Sequence, residues 1–350
     1  MTQGGRSAQK KTGGVIMRLV SNLFPFGLVL ILAGSTAMAH HSRAPFDMEA
    51  EVTFDGVITK YEWASPHIYI FVETETDAGD TVVWVLQTGP PAFMTRLGWS
   101  RDTFAAGEFV TVNGHPARKP NRKLASVISI EKADGTVLRV GWDEFQEAIS
   151  DAASTGTANS LSGTWVTLPG PSIEENREVT DKGAAAIEHF REETMLPGAK
   201  CIPNAAPILM LLTDTKMIEV GDETIAIGDE YWSAERTIHM SVNSHDGVTP
   251  TVQGHSIGRW EGNVLVVNTA HFADHRIGNG WQLPSGSQKR LVERFELSPD
   301  GTSLTYRFEL EDSEYLAVPI TGERQWVYRP DLEYAPEECD LENARRYLGE

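Results

Sequence analysis

The sequence predicts an all-β protein built from two consecutive barrels, and three observations lead to that prediction. Short β-branched and aromatic runs follow one another through residues 50–140. After Cys201, strand-like runs are separated by turn pairs such as Gly221-Asp222 and Glu261-Gly262. Between the two regions, residues 150–160 are small and polar and offer almost nothing to bury, which is typical of a linker.

The first strand set predicts a small Greek-key barrel over residues 40–145. A proline start and the following Gly98 predict a short helix at Pro90–Leu97. Five strands with a helix between the third and fourth is the order of the oligonucleotide/oligosaccharide-binding (OB) barrel. The predicted strands are Gly56–Trp63, His67–Thr74, Thr81–Gln87, Glu108–Asn113 and Ala125–Glu131.

After a linker at residues 146–160, the second strand set predicts an antiparallel barrel over residues 161–335, with a tail at residues 336–350. Thr180 and Asp181 can cap one helix that runs to about Thr194. About eight strands are expected, and closure of the sheet removes its exposed edges. The clearest hairpins are Gly258–Thr269 and Arg290–Glu311.

Residues 1–39 predict a cleaved export signal. They contain four basic residues and no acid, an apolar stretch at Leu23–Ala33, and a small-x-small site at Ala37-Met38-Ala39. The apolar stretch is too short to span a bilayer, so we expect no stable membrane insertion and a periplasmic or secreted protein. Cleavage would make His40 the first residue. In an oxidising compartment, Cys201 and Cys339 would pair most simply with each other.

Charge and missing motifs exclude several functions. The formal net charge of −19 opposes binding to nucleic acid, so the basic run at residues 118–123 is expected to be a solvated loop or a contact for an acidic partner or envelope polymer. The chain has no Walker or Rossmann glycine loop and no Cys-x-x-Cys-His, which excludes nucleotide and haem. Gly254–Gly258 matches Gly-x-Ser-x-Gly, but the strands around it do not suit a nucleophile elbow.

Several motifs resemble uncharacterised secreted proteins. Over residues 39–140, His40-His41-Ser42, Trp63-Ala-Ser-Pro-His67 and Gly98-Trp-Ser-Arg101 resemble an uncharacterised family of small secreted bacterial proteins, in which Asn is usual where Ser65 stands. Arg236–Met240 and Gly254–Gly262 resemble a second uncharacterised secreted domain. Its opening Gly163-Thr-Trp165 is similar to that of lipocalin or calycin barrels. Neither resemblance implies an activity.

The processed N-terminus is the first candidate site. An N-terminal histidine offers its amine and its imidazole to one ion, and neutral imidazole suits copper and zinc. In the predicted OB barrel, the loops that carry His67 and His115 flank the usual ligand face. We therefore expect a copper or zinc site formed by His40, His41, His67 and His115. The alternative is that His67 merely packs at the start of a strand.

The second candidate site lies in the C-terminal barrel, where five histidines fall within residues 239–275. They suit a general base, metal ligands or ordinary strand ends. His239 and His255 are the candidate acid/base groups, and Arg259 or Glu261 the candidate charge partner.

Three functions follow from these two sites. The preferred one is an exported ligand-binding protein with a metal site at its processed N-terminus. The alternative is an enzyme of lyase, isomerase or hydrolase type, acting on a small apolar or oxygenated substrate inside the C-terminal barrel. A non-catalytic envelope protein, with a filled barrel, is the third. The sequence leaves open whether the protein is an enzyme, which ligand it takes and its oligomeric state.

Overall fold

A computed structural model describes residues 45–76, 78–141, 153–175 and 177–348. The sheet of the first barrel contains six strands. The chain alternates between buried and exposed residues along most of these strands, as expected for a sheet with one face on the core. The strands are β1 (Val52–Glu62), β2 (Tyr69–Glu75), β3 (Thr81–Gln87), β4 (Phe109–Pro116), β5 (Leu124–Lys132) and β6 (Val137–Arg139).

Five of these strands close into a barrel. The strand order is β3-β2-β1-β4-β5-β6, and a parallel pairing of β3 with β5 closes the ring. At Gly56, a Cβ would lie 2.5 Å from the Glu73 carbonyl oxygen, so β1 approaches β2 there as only glycine allows. Helix α1 (Pro91–Arg96) follows β3 as predicted and buries Phe93 and Met94 against the core. The short strand β6, absent from the sequence prediction, extends the sheet beyond β5.

The second barrel has nine strands and closes completely. Its order is β10-β11-β12-β13-β14-β15-β7-β8-β9, where β15 pairs with β7. The predicted all-β class with two barrels is therefore confirmed. The strands are β7 (Gly163–Thr167), β8 (Thr215–Val220), β9 (Thr224–Asp229), β10 (Ala234–His239), β11 (His255–Glu261), β12 (Val264–Ala270), β13 (Arg290–Leu297), β14 (Ser303–Glu311) and β15 (Ile320–Tyr328).

One pair in this barrel is parallel, which departs from the predicted antiparallel arrangement. β10 and β11 run in the same direction and overlap by two residue pairs, Ile238 with Ser256 and His239 with Ile257. An odd number of strands cannot close with antiparallel pairs alone, so nine strands require one parallel pair. Parallel neighbours need a longer connection than a hairpin, and residues 240–254 supply it.

Side chains fill the interior of the second barrel. Trp165, Trp326, Tyr306 and Phe295 are all 0% exposed and form part of one apolar cluster. Within it lies a buried ion pair, in which Arg236 Nη1 donates to Glu293 Oε1 at 2.7 Å. The Tyr306 hydroxyl donates to the same carboxylate oxygen at 2.9 Å. Arg236, Glu293 and Tyr306 thus each have a hydrogen-bond partner, which offsets much of their desolvation cost.

The helical region before β8 differs from the sequence prediction. The Thr180 hydroxyl accepts from the Gly183 amide at 3.1 Å and caps helix α2 (Asp181–His189). The predicted continuation to Thr194 is interrupted at Phe190, which has an extended backbone (ψ 131°) and a buried ring. Two short helices follow, α3 (Glu192–Met195) and α4 (Ile208–Leu211).

The two barrels pack directly on each other. Val166 and Val327, on the outside of β7 and β15, join the apolar cluster of the first barrel. Arg96 of α1 forms an ion pair with Glu230 at 2.7 Å. The predicted linker lies partly outside the described residues, and its described part packs on the second barrel, where the amide of buried Ala158 donates to Gly301. Among the described residues, no helix is long and apolar enough to cross a bilayer.

We expect the Arg236–Glu293 pair to be essential for stability. Replacement of Glu293 by Ala leaves a buried guanidinium without its carboxylate, which typically costs about 3–5 kcal/mol. Glu261→Ala is the matched control, because Glu261 is ion-paired on the exposed outer surface of the same barrel, where such pairs contribute below about 1 kcal/mol. Urea unfolding measures both. Equal losses in the two variants would contradict this role.

Acid should destabilise the protein through His275. Burial, with the charge of Lys289 as the second cause, lowers the pKa of His275 to about 4. Because the unfolded value is near 6.5, stability is full above that pH and falls as pH drops towards 4, by about 3 kcal/mol. In His275→Gln, the free energy of unfolding should depend less on pH between about 6.5 and 4. His189→Gln, on the exposed end of α2, should leave the slope unchanged, and a slope that His275→Gln does not alter refutes the assignment.

Candidate functional site

Four histidines gather on the outer face of the second barrel. His239 is the last residue of β10 and His255 the first of β11. His245 belongs to the connection between these strands, and His271 directly follows β12. All four side chains are half-buried. We refer to these four residues as the histidine cluster.

Strand alternation places the cluster outside the barrel. Ile238 and Ser256 point inward and are buried, so their neighbours His239 and His255 face outward. Asn268 of β12 also faces outward, opposite Ile257. Because β11 begins where β10 ends, the connecting residues leave and re-enter the sheet at one place. They fold back over it and set His245 against His255.

The imidazole rings of the cluster are in mutual contact. The ring centroids of His239 and His255 lie 5.0 Å apart, those of His245 and His255 5.0 Å, and those of His245 and His271 6.1 Å. Nδ1 of His245 lies 2.8 Å from Nδ1 of His255. Nε2 of His245 lies 3.1 Å from the Asn268 side-chain oxygen.

These distances assign the proton of His245. Its Nε2–H donates to the Asn268 oxygen, so a neutral His245 carries its lone pair on Nδ1. That lone pair accepts from Nδ1–H of His255. The arrangement resembles a metal-ligating histidine, whose second nitrogen is held by a hydrogen-bond acceptor that fixes the tautomer.

The environment of His255 favours its uncharged imidazole. Burial lowers the pKa of His255, and the neighbouring His239, His245 and His271 lower it further because like charges repel. A neutral imidazole keeps a lone pair for an ion or a proton. His255 therefore keeps a nitrogen lone pair beside the three neighbouring rings.

The side chains do not yet form a complete metal site. In the part of the chain that the structure describes, no three His, Cys, Asp or Glu side chains are arranged to hold one ion. The cluster supplies two adjacent nitrogen atoms, with the rings of His239 and His271 beside them. A third ligand requires a rotation of one of these two side chains.

Of the predicted catalytic group, His239 and His255 lie together, whereas Arg259 and Glu261 do not join them. Glu261 binds Arg259 at 2.6 Å and Arg294 at 3.0 Å in an exposed charge ladder. This ladder lies at the opposite end of β11 from His255, about 13–20 Å away along the strand. The two histidines also face the outside of the barrel rather than the predicted interior site, because they alternate with inward residues. Arg259 and Glu261 are surface charges here.

The described part of the predicted metal site is also dispersed. Nδ1 of His67 lies 3.2 Å from the Thr88 carbonyl, and burial lowers the pKa of His67 to about 4. Nδ1 of His115 lies 2.9 Å from the Ala50 carbonyl. At this end of the barrel Tyr69 pairs with Gln87, Gln87 with Ser126 and Ser126 with His115, so three strand pairings lie between the start of β2 near His67 and His115. His40 and His41 lie outside the described residues, and their role stays a prediction.

The sequence pointed to the cluster only in part. His245 and His271 belonged to the five-histidine stretch but were not assigned to a site, and Asn268 was missed. The fifth histidine of that stretch, His275, is instead buried, with Nε2 3.0 Å from the Pro203 carbonyl. The signal that could have singled out His245 is the long connection between two adjacent strands, but its parallel closure is not visible in a local pattern.

Ser256, at the centre of the Gly-x-Ser-x-Gly match, has a structural role. It is 1% exposed, and its hydroxyl accepts from Arg236 Nε at 3.0 Å inside the barrel. No helix follows it, because β11 continues through Glu261. The side chain is part of the buried ion-pair network rather than an exposed nucleophile.

Fold and site together define a two-barrel protein with a histidine cluster on its outer surface. A family of unknown function (DUF6152) matches residues 29–125, which covers the first barrel only in part. No curated protein matches the chain. Among solved structures, the chain is similar to the Ifi202 HINa domain in complex with 20bp dsDNA, at 9% identity with 71% of this chain and 100% of that chain covered, and a TM-score of 0.16.

The electrostatic coupling within the cluster can be measured residue by residue. Replacement of His239 by Gln removes a neighbouring positive charge from His255, so the pKa of His255 should rise towards its ordinary value. NMR titration of the histidine ring protons reports this shift. His189→Gln is the control and should leave His255 unchanged. A His255 pKa that is the same with and without His239 would contradict the mutual contact of the rings.

Proposed function

We propose that the protein binds a divalent transition-metal ion through the histidine cluster, with copper bound most tightly. The observation that carries the proposal is the distance of 2.8 Å between Nδ1 of His245 and Nδ1 of His255. Two nitrogens at right angles on one ion, each about 2.0 Å from it, lie about 2.8 Å apart. The pair is therefore spaced for two adjacent corners of a square-planar site, which copper(II) favours among divalent ions.

The surroundings of the pair support this function. The Asn268 oxygen suits the tautomer of His245 that carries its lone pair on Nδ1, the atom that faces His255. Binding at both Nδ1 atoms displaces the proton of His255 from Nδ1 to Nε2 or to solvent. The rings of His239 and His271 lie close enough to contribute a third and a fourth nitrogen after side-chain rotation.

The two halves of the site differ in rigidity. His239 and His255 lie on paired strands of a closed barrel. His245 lies on the connection between them, where the exposed Ser244 and Asp246 flank it. Such a site can open at the loop while the strand histidines stay in place. This arrangement suits reversible binding and release of an ion in an exported protein.

Isothermal titration with Cu²⁺ tests the proposal. The protein should start at His40, and a second form should carry one extra N-terminal alanine, which blocks the predicted N-terminal chelate. In the blocked form, the double variant His245→Gln with His255→Gln should lose one equivalent of bound copper. The control, His189→Gln, removes an exposed histidine outside both candidate sites and should retain it.

Two further results bear on the same site. Asn268→Ala should weaken copper binding by about 10- to 100-fold, because the tautomer of His245 is no longer fixed. Affinity should also fall as pH drops below about 6.5, since protons compete for the imidazoles. Equal copper stoichiometry and affinity in the cluster variant and the control variant would overturn the proposal.

A further inference from the structure

The C-terminal segment, defined here as residues 336–348, lies across the outside of the first barrel. It contains helix α5 (Leu341–Arg345) and one 3₁₀ turn, Arg346–Leu348. A disulfide between Cys339 and Cys201, with a Cα–Cα distance of 5.6 Å, joins it to the second barrel. The side chain of Asp340 caps α5 by accepting from the Asn343 amide at 2.7 Å.

The segment first binds the loop between β1 and β2. The Trp63 indole donates to Glu337 at 3.1 Å. The Asp340 amide donates to the Ser65 carbonyl at 2.9 Å. Asn343, which is 0% exposed, makes a two-point contact with the backbone of His67: its oxygen accepts from the His67 amide at 3.2 Å, and its nitrogen donates to the His67 carbonyl at 2.8 Å.

The segment next covers the aromatic face of β2. The guanidinium of Arg346 lies 4.7 Å from the ring centre of Tyr69 and 5.4 Å from that of Phe71. It also pairs with Glu62 at the end of β1, at 3.0 Å. A cation held between an aromatic platform and a carboxylate is a strong anchor when it is desolvated.

The segment ends against the loop between β4 and β5. Arg122 donates to the Tyr347 carbonyl at 2.7 Å and to the Arg346 carbonyl at 3.2 Å. These three regions, the outside of β2 and the two loops, make up the face on which OB barrels take their ligands. The chain thus places its own peptide where a separate ligand would lie.

We propose that this face is a peptide-binding site for a segment with asparagine three residues before arginine, and that its own C-terminal segment occupies it in the oxidised protein. The recognition elements favour a peptide over a sugar or a nucleic acid. The His67 backbone reads a side-chain amide at two points, and Glu62 selects a cation. A partner with the same two groups would compete for the face. This inference is independent of the proposed metal function.

The covalent links explain why the C-terminal segment, rather than a separate peptide, occupies this face. A linked segment has an effective concentration in the millimolar range when its linker is short, and the disulfide shortens the linker further. A free peptide therefore binds measurably only when the tether and the resident anchors are removed.

A full-length variant with Cys201→Ser, Cys339→Ser, Asn343→Ala and Arg346→Ala removes the disulfide tether and the two anchoring side chains of the C-terminal segment. The probe is a fluorescein-labelled peptide of residues 336–350 with Cys339→Ser, and fluorescence anisotropy measures its binding. We expect saturable binding to the variant and none to the oxidised wild-type protein. The matched peptide with Arg346→Ala should bind at least about tenfold more weakly, because it lacks the cation on the aromatic face. Circular dichroism checks that the variant is folded.

A folded variant that binds neither peptide, or both equally, would overturn the proposal. If the variant does not fold, a second experiment uses Arg346→Ala with the disulfide intact. Amide hydrogen exchange of residues 341–348 and of His67 should then be at least about tenfold faster than in the wild-type protein, since the anchor is lost. Unchanged exchange would likewise overturn it.

Discussion

The closure of nine strands into one barrel is the constraint on which the outer histidine cluster depends. An odd strand number leaves one parallel pair, β10 with β11, and a parallel pair requires a connection longer than a hairpin turn. That connection carries His245 back over the sheet to His255. Hairpin closure at this point would leave no chain to fold over the strand ends, and His239 and His255 would stand as two ordinary surface residues.

The side chains inside the same barrel stabilise the fold. Large aromatic rings and the Arg236–Glu293 pair fill it, and Ser256 is bound within that network. A filled barrel with paired buried charges is a rigid scaffold, because few of its groups can move without losing a partner. His239 and His255 lie on paired strands of this scaffold, whereas His245 lies on the connection between them. The proposed metal binding is therefore assigned to the outside of the barrel.

The sequence predicted local features well and long-range neighbours poorly. The β-branched runs and the Pro90 start predicted the first barrel and its helix closely, since these depend on nearby residues. The break at Phe190 was missed because it depends on burial of the ring against distant residues. The sequence predicts His239 and His255 as candidates, but it gives no sign that Asn268 lies beside them. Their proximity arises from strand register, which no short pattern displays.

The two barrels present their distinctive surfaces separately, a nitrogen-rich cluster on one and a peptide-covered aromatic face on the other. X-ray absorption at the copper edge reports which atoms bind copper at the histidine cluster. The sample is the protein with an added N-terminal alanine, loaded with one equivalent of Cu²⁺. We expect three or four imidazole nitrogens at about 2.0 Å from copper. A first shell of oxygen atoms with one imidazole or none would contradict it.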